Sequence, residues 1–503
     1  MSYKTLSRYK FGPCIFPILI LLVFACCQTN CMKMADIEKG AIKISEEYPL
    51  YWEYEGYPVL LLGGSDDDNL FQIEGLRDHL ELLASVGGNY IRCTMSSRDS
   101  GNVKPYIKED GLFDLNRFNT EYWNRLTNLL KISEKLDIIV QIEIWATYDF
   151  YWGDHGWTQN PFNPKLNLNY TSENSQLPDT IDYPVQSRIQ PFFKSIPELD
   201  NNKLILSYQQ KFVDKLLSIS LKYPNVLYCI DNENMQGVTW PAYWSDYIRK
   251  RAAEKSRSIN VTEMWDKWDP TDGNVPGAIT QTPELGEWFE TYSNMELYSK
   301  AKVSNTIADT INYQFVEVAN NNAQRGEVHY QTALYVREIV EESGKPRPIN
   351  NVKIYGSDDI ETNWAGPQKN AEECFWRNIF SGHASSRFHR PIYGIGLNKA
   401  AQHQIKSLRM LTNAMDFFLD KPANHLLSER EANEAFCMAK EGEEYAVYFT
   451  GKGRVYLNGA KRQYELQRLN ILTSTWGEVK TIELPGTLEN VSESPVAFFL
   501  KKK

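Results

Sequence analysis

Cysteine is scarce in this chain of 503 residues: there are eight, and only Cys93, Cys229, Cys374 and Cys437 lie beyond the N-terminal segment. These four stand singly among apolar neighbours, with no Cys-x-x-Cys pair and no histidine cluster. That excludes a disulfide scaffold and a zinc site, and predicts buried free thiols. Positive charge is also short, at 54 Lys and Arg against 64 Asp and Glu, for a net −10. A nucleic-acid surface needs a basic stripe, so nucleic acid is excluded as a partner. No Gly-x-Gly-x-x-Gly or P-loop follows the first predicted strand, which removes the signature of an open nucleotide-binding sheet. His-Glu-x-x-His and Gly-x-Ser-x-Gly are missing too, so a protease has little support. Nothing calls for a metal or cofactor, and there is no internal repeat or low-complexity tract.

Aromatic residues are plentiful, at 13% of the chain with 13 Trp and 29 Tyr. Many sit beside Asn, Asp and Gly, as between Trp145 and Trp157. That mixture suits a ligand with apolar faces and hydroxyls, as a sugar ring has.

The first 25 residues read as a targeting segment. Lys4, Arg8 and Lys10 precede an apolar run from Ile15 to Ala25, too short for a comfortable membrane span. Val23-Phe24-Ala25-Cys26 resembles a bacterial lipoprotein box, with Cys26 the lipidated residue; a plain secretory signal cleaved nearby is the alternative. Removing the segment takes three positive charges and no negative ones, leaving −13. The expected location is therefore the cell envelope, with membrane contact only through the lipid.

From Leu60 to Phe418 the pattern counts out eight strand–helix units. The predicted strands are Leu60–Gly64, Asn89–Cys93, Ile138–Trp145, Val226–Ile230, Ile259–Trp265, Tyr313–Val318, Val352–Gly356 and Ala384–Phe388. Strands alternating with helices pair in parallel, and eight units are the count of a TIM barrel. The expected fold is therefore α/β, a (β/α)8 barrel over residues 40–420. After about Lys421 the helical period ends and short strands separated by Gly, Asn and Lys turns predict a small antiparallel β-sandwich over 421–503. Between Trp145 and the helix near Leu204 lies a connection of over fifty residues. It leaves the C-terminal end of the third strand, the face where barrel active sites are built.

The chemistry-bearing residues cluster at strand ends. Strand four ends Asp231-Asn232-Glu233, which puts a carboxylate at the barrel mouth, where partial desolvation is expected to raise its pKa for proton donation. Arg92 in strand two either ion-pairs a catalytic carboxylate or forms a structural bridge. Asp66, Asp67 and Asp68 bind hydroxyls or form a solvated capping loop. Trp145, Tyr148, Trp152, Trp157 and Trp240 are core or sugar platforms, with Trp145 and Trp240 chosen as platforms. His389, ending strand eight, lines the pocket or is a satisfied structural histidine. Glu143 and Glu317 lie inside their strands, where an interior ion pair is expected.

With Asn232-Glu233 closing strand four and Asn89-x-x-Arg92 in strand two, the chain resembles the large clan of retaining glycoside hydrolases. More narrowly, residues 45–420 and the β domain resemble bacterial apiosidase-like barrels with a C-terminal module labelled collagen-binding. Tyr445-Ala446-Val447-Tyr448-Phe449 and Trp476-Gly477 resemble that module. The resemblance implies a carbohydrate substrate, Glu233 as acid/base, Asn232 as sugar-binding Asn and Arg92 as the strand-two Arg. It also implies a Glu nucleophile ending strand seven, where this chain has Val352-Lys353-Ile354-Tyr355-Gly356-Ser357-Asp358 instead. Asp358 is the nearest carboxylate and Glu361 a loop alternative. The expectation is an exported, retaining glycoside hydrolase working with Glu233 and Asp358. The alternative is a non-catalytic glycan- or matrix-binding protein on a degenerate barrel.

Overall fold

A computed structural model describes residues 40–151, 156–181, 190–234, 237–265, 303–319, 325–358 and 366–503. Eight parallel strands form the barrel: β1 (Leu61–Gly64), β2 (Tyr90–Thr94), β3 (Ile139–Ala146), β4 (Val226–Asn232), β5 (Val261–Thr262), β6 (Val316–Glu317), β7 (Ile349–Asn350) and β8 (Ser385–Phe388). Six of them pair in the order β5-β4-β3-β2-β1-β8, and β6 pairs with β7. The ring closes through Gln314 N to Val261 O (2.8 Å) and Ala384 N to Ile349 O (2.9 Å). The TIM barrel expected from the alternation of elements is present, followed by an antiparallel β domain.

The strands are apolar runs because both faces are covered, and every residue of β2, β3, β4 and β8 is buried. Helices start where side chains cap them: Asn119 accepts from Glu121 N, Asn202 from Ile205 N and Asn398 from Ala401 N. Strand seven departs from the expected Val352–Gly356. Side chains there take the bonds a ladder would use: Asn351 N donates to Ser385 Oγ, Val352 N to Glu317 Oε1 and Lys353 N to Asn351 Oδ1. Regular pairing is confined to Ile349–Asn350, with one bridge at Ile354.

Antiparallel pairing begins again at Lys421. Among the short strands expected here is one long strand instead, Gly453–Asn470, whose pairing slips between Leu457 and Arg462. Both halves pair with Lys480–Asn490 on one edge, while on the other Tyr456–Leu457 meets Leu427–Ser428 and Tyr464–Asn470 meets Val496–Lys502, around a shared core of Val447, Phe449, Leu457 and Leu484. This domain is joined to the barrel by apolar contact: Trp376 stacks on Tyr448 at 4.8 Å and Tyr330 lies 4.6 Å from Phe436. Among the described residues no helix is long and apolar enough to cross a membrane.

Candidate active site

The barrel interior is polar from bottom to top. At the base, Trp52 donates to Asn350, Asn350 to Tyr90 and Tyr90 to Gln141. Glu317 sits above them and accepts from Gln141 Nε2 and Val352 N, both at 3.3 Å. Among the described residues it forms no ion pair, and burial lifts its pKa to about 8 against the Lys353 charge, so it is a neutral acid. That corrects the expected ion pair. Glu143 does form one: its two oxygens accept from Arg92 Nε (2.8 Å) and Nη2 (2.7 Å).

Arg92 is the hub of the next layer. Besides Glu143 it bonds Asp68 Oδ1 at 2.7 Å, Asn232 Oδ1 at 3.2 Å and His389 Nδ1 at 3.3 Å. Asp68 is buried and is contacted also by Arg98 (3.2 Å) and Arg390 (3.1 Å). Burial opposes its charge, yet these cations hold its pKa well below the usual carboxylate value. Asp68 is therefore no part of a solvated loop. Asp66 is exposed, and Asp67 is half-buried with Oδ1 accepting from Asn69 N. His389 is buried against Asp68 and Tyr355, and burial keeps it neutral.

The rim is set by β4. Asn232 ends the strand, and Glu233 adopts φ +67°, a left-handed conformation that costs a residue with a Cβ about 1–3 kcal/mol. Thr147 Oγ1 holds the turn by donating to the carbonyls of Asn232 (2.5 Å) and Glu233 (3.1 Å). Lys353 then places Nζ 2.5 Å from Glu233 Oε1 and 2.6 Å from Asn232 Oδ1. Glu233 keeps 30% of its side chain exposed while Lys353 keeps 2%. Desolvation would raise the Glu233 pKa, but the Lys353 charge and hydrogen bond outweigh it and the net shift is downward. The expectation of a raised pKa is corrected: in the resting chain Glu233 is a carboxylate. Beneath it, Asp231 and Glu263 form a buried acid pair, with Trp240 Nε1 on Asp231 Oδ1 at 3.2 Å. Burial pushes Asp231 to about 7, and burial with the Asp231 charge pushes Glu263 well above its ordinary value.

Trp145 and Trp240 are not platforms. Both are at most 1% exposed and pack in an aromatic cluster with Phe192 and Trp244. Trp157 is buried too, its Nε1 on Pro178 O. In the long connection the asparagines serve the backbone: Asn163 Nδ2 donates to Trp157 O and Asp179 O, and Asn167 Nδ2 to Asn163 O. Tyr148 is half-buried under the Arg98 guanidinium at 4.8 Å. Asp358 is exposed, its Oδ1 accepting from Gln368 N at 3.0 Å, the start of the helix Gln368–Phe380. Cys26, Trp152 and Glu361 lie outside the described residues. The four cysteines among the described residues, Cys93, Cys229, Cys374 and Cys437, are buried free thiols. Among the described residues no three His, Cys, Asp or Glu side chains are grouped to hold a metal ion.

Lys353, Arg98 and the Asp231–Glu263 pair were not singled out from sequence. Lys353 did carry a signal: a lysine between Val352 and Ile354 in a barrel strand must find a partner inside.

No protein-family model matches the chain, and no curated protein does. Solved structures do resemble it. A glycoside hydrolase family 5 protein from Bacteroides vulgatus is 14% identical, with a TM-score of 0.59 over 92% of this chain and 93% of that one. A putative glycoside hydrolase from the same organism is 10% identical, with a TM-score of 0.56 over 93% and 83%. A third structure, described as a glycoside hydrolase, is 12% identical at 0.56 over 92% and 97%. The likeness is one of fold, and it spans both the barrel and the β domain.

Proposed function

We propose that this chain is an exported glycoside hydrolase cleaving O-glycosidic bonds of a glycan, with Glu233 as the group that passes a proton to the leaving oxygen. One observation carries the reading: a part-exposed carboxylate in a strained turn at the end of β4, held on a buried ammonium at 2.5 Å. When a sugar displaces water from the rim, desolvation favours the neutral acid, which then passes its proton to the leaving oxygen. Asn232, whose oxygen is engaged by Lys353 and Arg92, has its amide nitrogen left to donate to a hydroxyl.

Asp358 is the proposed second carboxylate, on the loop that follows strand seven. Retention requires two carboxyls ~5 Å apart and inversion ~6.5–9.5 Å, so its role follows from product stereochemistry. If it is the nucleophile, Asp358→Ala loses turnover and azide restores it with an inverted glycosyl azide. If it is the base, turnover is lost with no azide product. Wild-type rates for Asp358→Ala remove it from the reaction.

The barrel and β domain fit the apiosidase-like kind with its collagen-binding-labelled module, and Cys26 the lipid anchor of an envelope protein. Tyr445–Phe449 are buried, so they support the module's fold and not a binding groove. The second reading, a non-catalytic glycan- or matrix-binding protein, is favoured by Lys353 standing where the clan places a Glu. It requires that Glu233→Gln changes no glycoside-cleaving activity.

A further inference from the structure

Away from the Glu233 rim, a cavity of about 530 Å³ opens between the hairpin that follows β2 and the loop that follows β3. Its walls include Lys104, Tyr106, Lys108, Phe113, Asn119 and Gln159. The volume lies within the ~300–1,000 Å³ typical of small-molecule pockets. We propose that it is a subsite for an acidic sugar, a hexuronate unit whose carboxylate meets the two lysines.

In a chain with net charge −10, neither lysine forms an ion pair among the described residues. Lys104 is half-buried, with Nζ on the Ser97 carbonyl at 2.8 Å. Lys108 is exposed, with Nζ 5.0 Å from the centre of the Phe113 ring. Two ammoniums facing one cavity repel each other until an anion arrives, and a carboxylate between them gains charge-assisted hydrogen bonds. Phe113 and Leu166 give an apolar wall for a ring face. No arginine fork lines the cavity, so the chemistry suits a carboxylate on a ring better than a phosphate. A bonded chain leads from the cavity to the Arg92 layer: Lys104 Nζ donates to Ser97 O, Ser97 N donates to Asp149, and Arg98 joins Asp149 to Asp68.

The sugar identity of the ligand rests on the hydrolase reading, so the test measures binding and not turnover. Saturation-transfer NMR of the full mature chain would use glucuronate, glucose and inorganic phosphate as probes. Glucuronate should bind more tightly than either other probe, and equally well to wild type and Glu233→Gln. Lys108→Gln, at an exposed position, should weaken it, and adding Lys104→Gln should bring the loss to roughly tenfold or more. Four results would overturn the subsite: no glucuronate binding, equal binding of glucose, equal binding of phosphate, or no effect of the lysine changes. Glucuronate binding by a wild-type chain that cleaves no glycoside would keep the subsite and strike only the hydrolase reading.

Discussion

Lys353 and Glu233 come from opposite sides of the barrel mouth and meet at 2.5 Å, with the ammonium buried and the carboxylate part-exposed. The retaining glycoside hydrolases that the sequence resembles end strand seven in a Glu. In this chain the segment after strand seven brings the Lys353 ammonium to Glu233. The carboxylate after β4 is thereby ionised at rest and remains beside a proton donor.

This coupling has a consequence for the pH dependence of turnover. In wild type Lys353 holds the Glu233 pKa below its ordinary value, so the protonated acid that the proposed step needs is confined to low pH. In Lys353→Met that charge is gone, and burial, still opposed by Arg92, raises the Glu233 pKa. The alkaline limb of kcat/KM should move to higher pH. An unchanged limb would show that Lys353 does not set the Glu233 titration.

Arg92 holds Asp68 and Glu143 in the barrel interior. Arg92→Met would keep the bulk and leave two buried carboxylates short of a cation. Breaking such a network by removing one partner costs about 3–5 kcal/mol. Urea unfolding should show that loss at pH 7, and it should lessen at lower pH as the carboxylates take up protons. A loss under ~1 kcal/mol would mean that Arg98 and Arg390 suffice.

Glu263 is held neutral beside Asp231, its pKa raised well above the ordinary value. A raised folded pKa contributes stability fully below the unfolded value of about 4.5 and loses it as pH rises towards the folded one, at ~1.4 kcal/mol per unit. Glu263→Gln copies the neutral acid and can donate to the unpartnered Oδ2 of Asp231. Its melting temperature should match wild type near pH 5 and exceed it increasingly from pH 6 to 8. Parallel curves would show that the pair does not titrate as the structure implies.

The barrel was legible because its signal is repetition: eight apolar runs, each followed by a helix, with caps such as Asn119, Asn202 and Asn398 at helix starts. Glu233 was legible because it directly follows such a run. Strand seven was not, since Asn351 and Glu317 substitute side-chain bonds for its ladder, and periodicity does not report such exchanges. Trp145 and Trp240 were misread as platforms because sequence places a residue at a strand end or in a loop but not the rings around it. Phe192, distant in sequence from both, packs on each of them, and Trp244 reaches Trp145 from a later helix. Asp68 was misread for the same reason: its guanidinium partners lie 24, 30 and 322 residues away. Local rules read an acidic triplet as solvated when long-range pairing decides its environment.

The most direct measurement is reducing-end release by wild type and Glu233→Gln from a panel of unactivated oligosaccharides, with aryl glycosides alongside. The proposed chemistry predicts cleavage by wild type and a loss of ~10²–10⁴-fold in Glu233→Gln, smaller on the activated aryl substrates. Equal rates for the two proteins on an unactivated glycoside, or no cleavage by wild type of anything it binds, would contradict it.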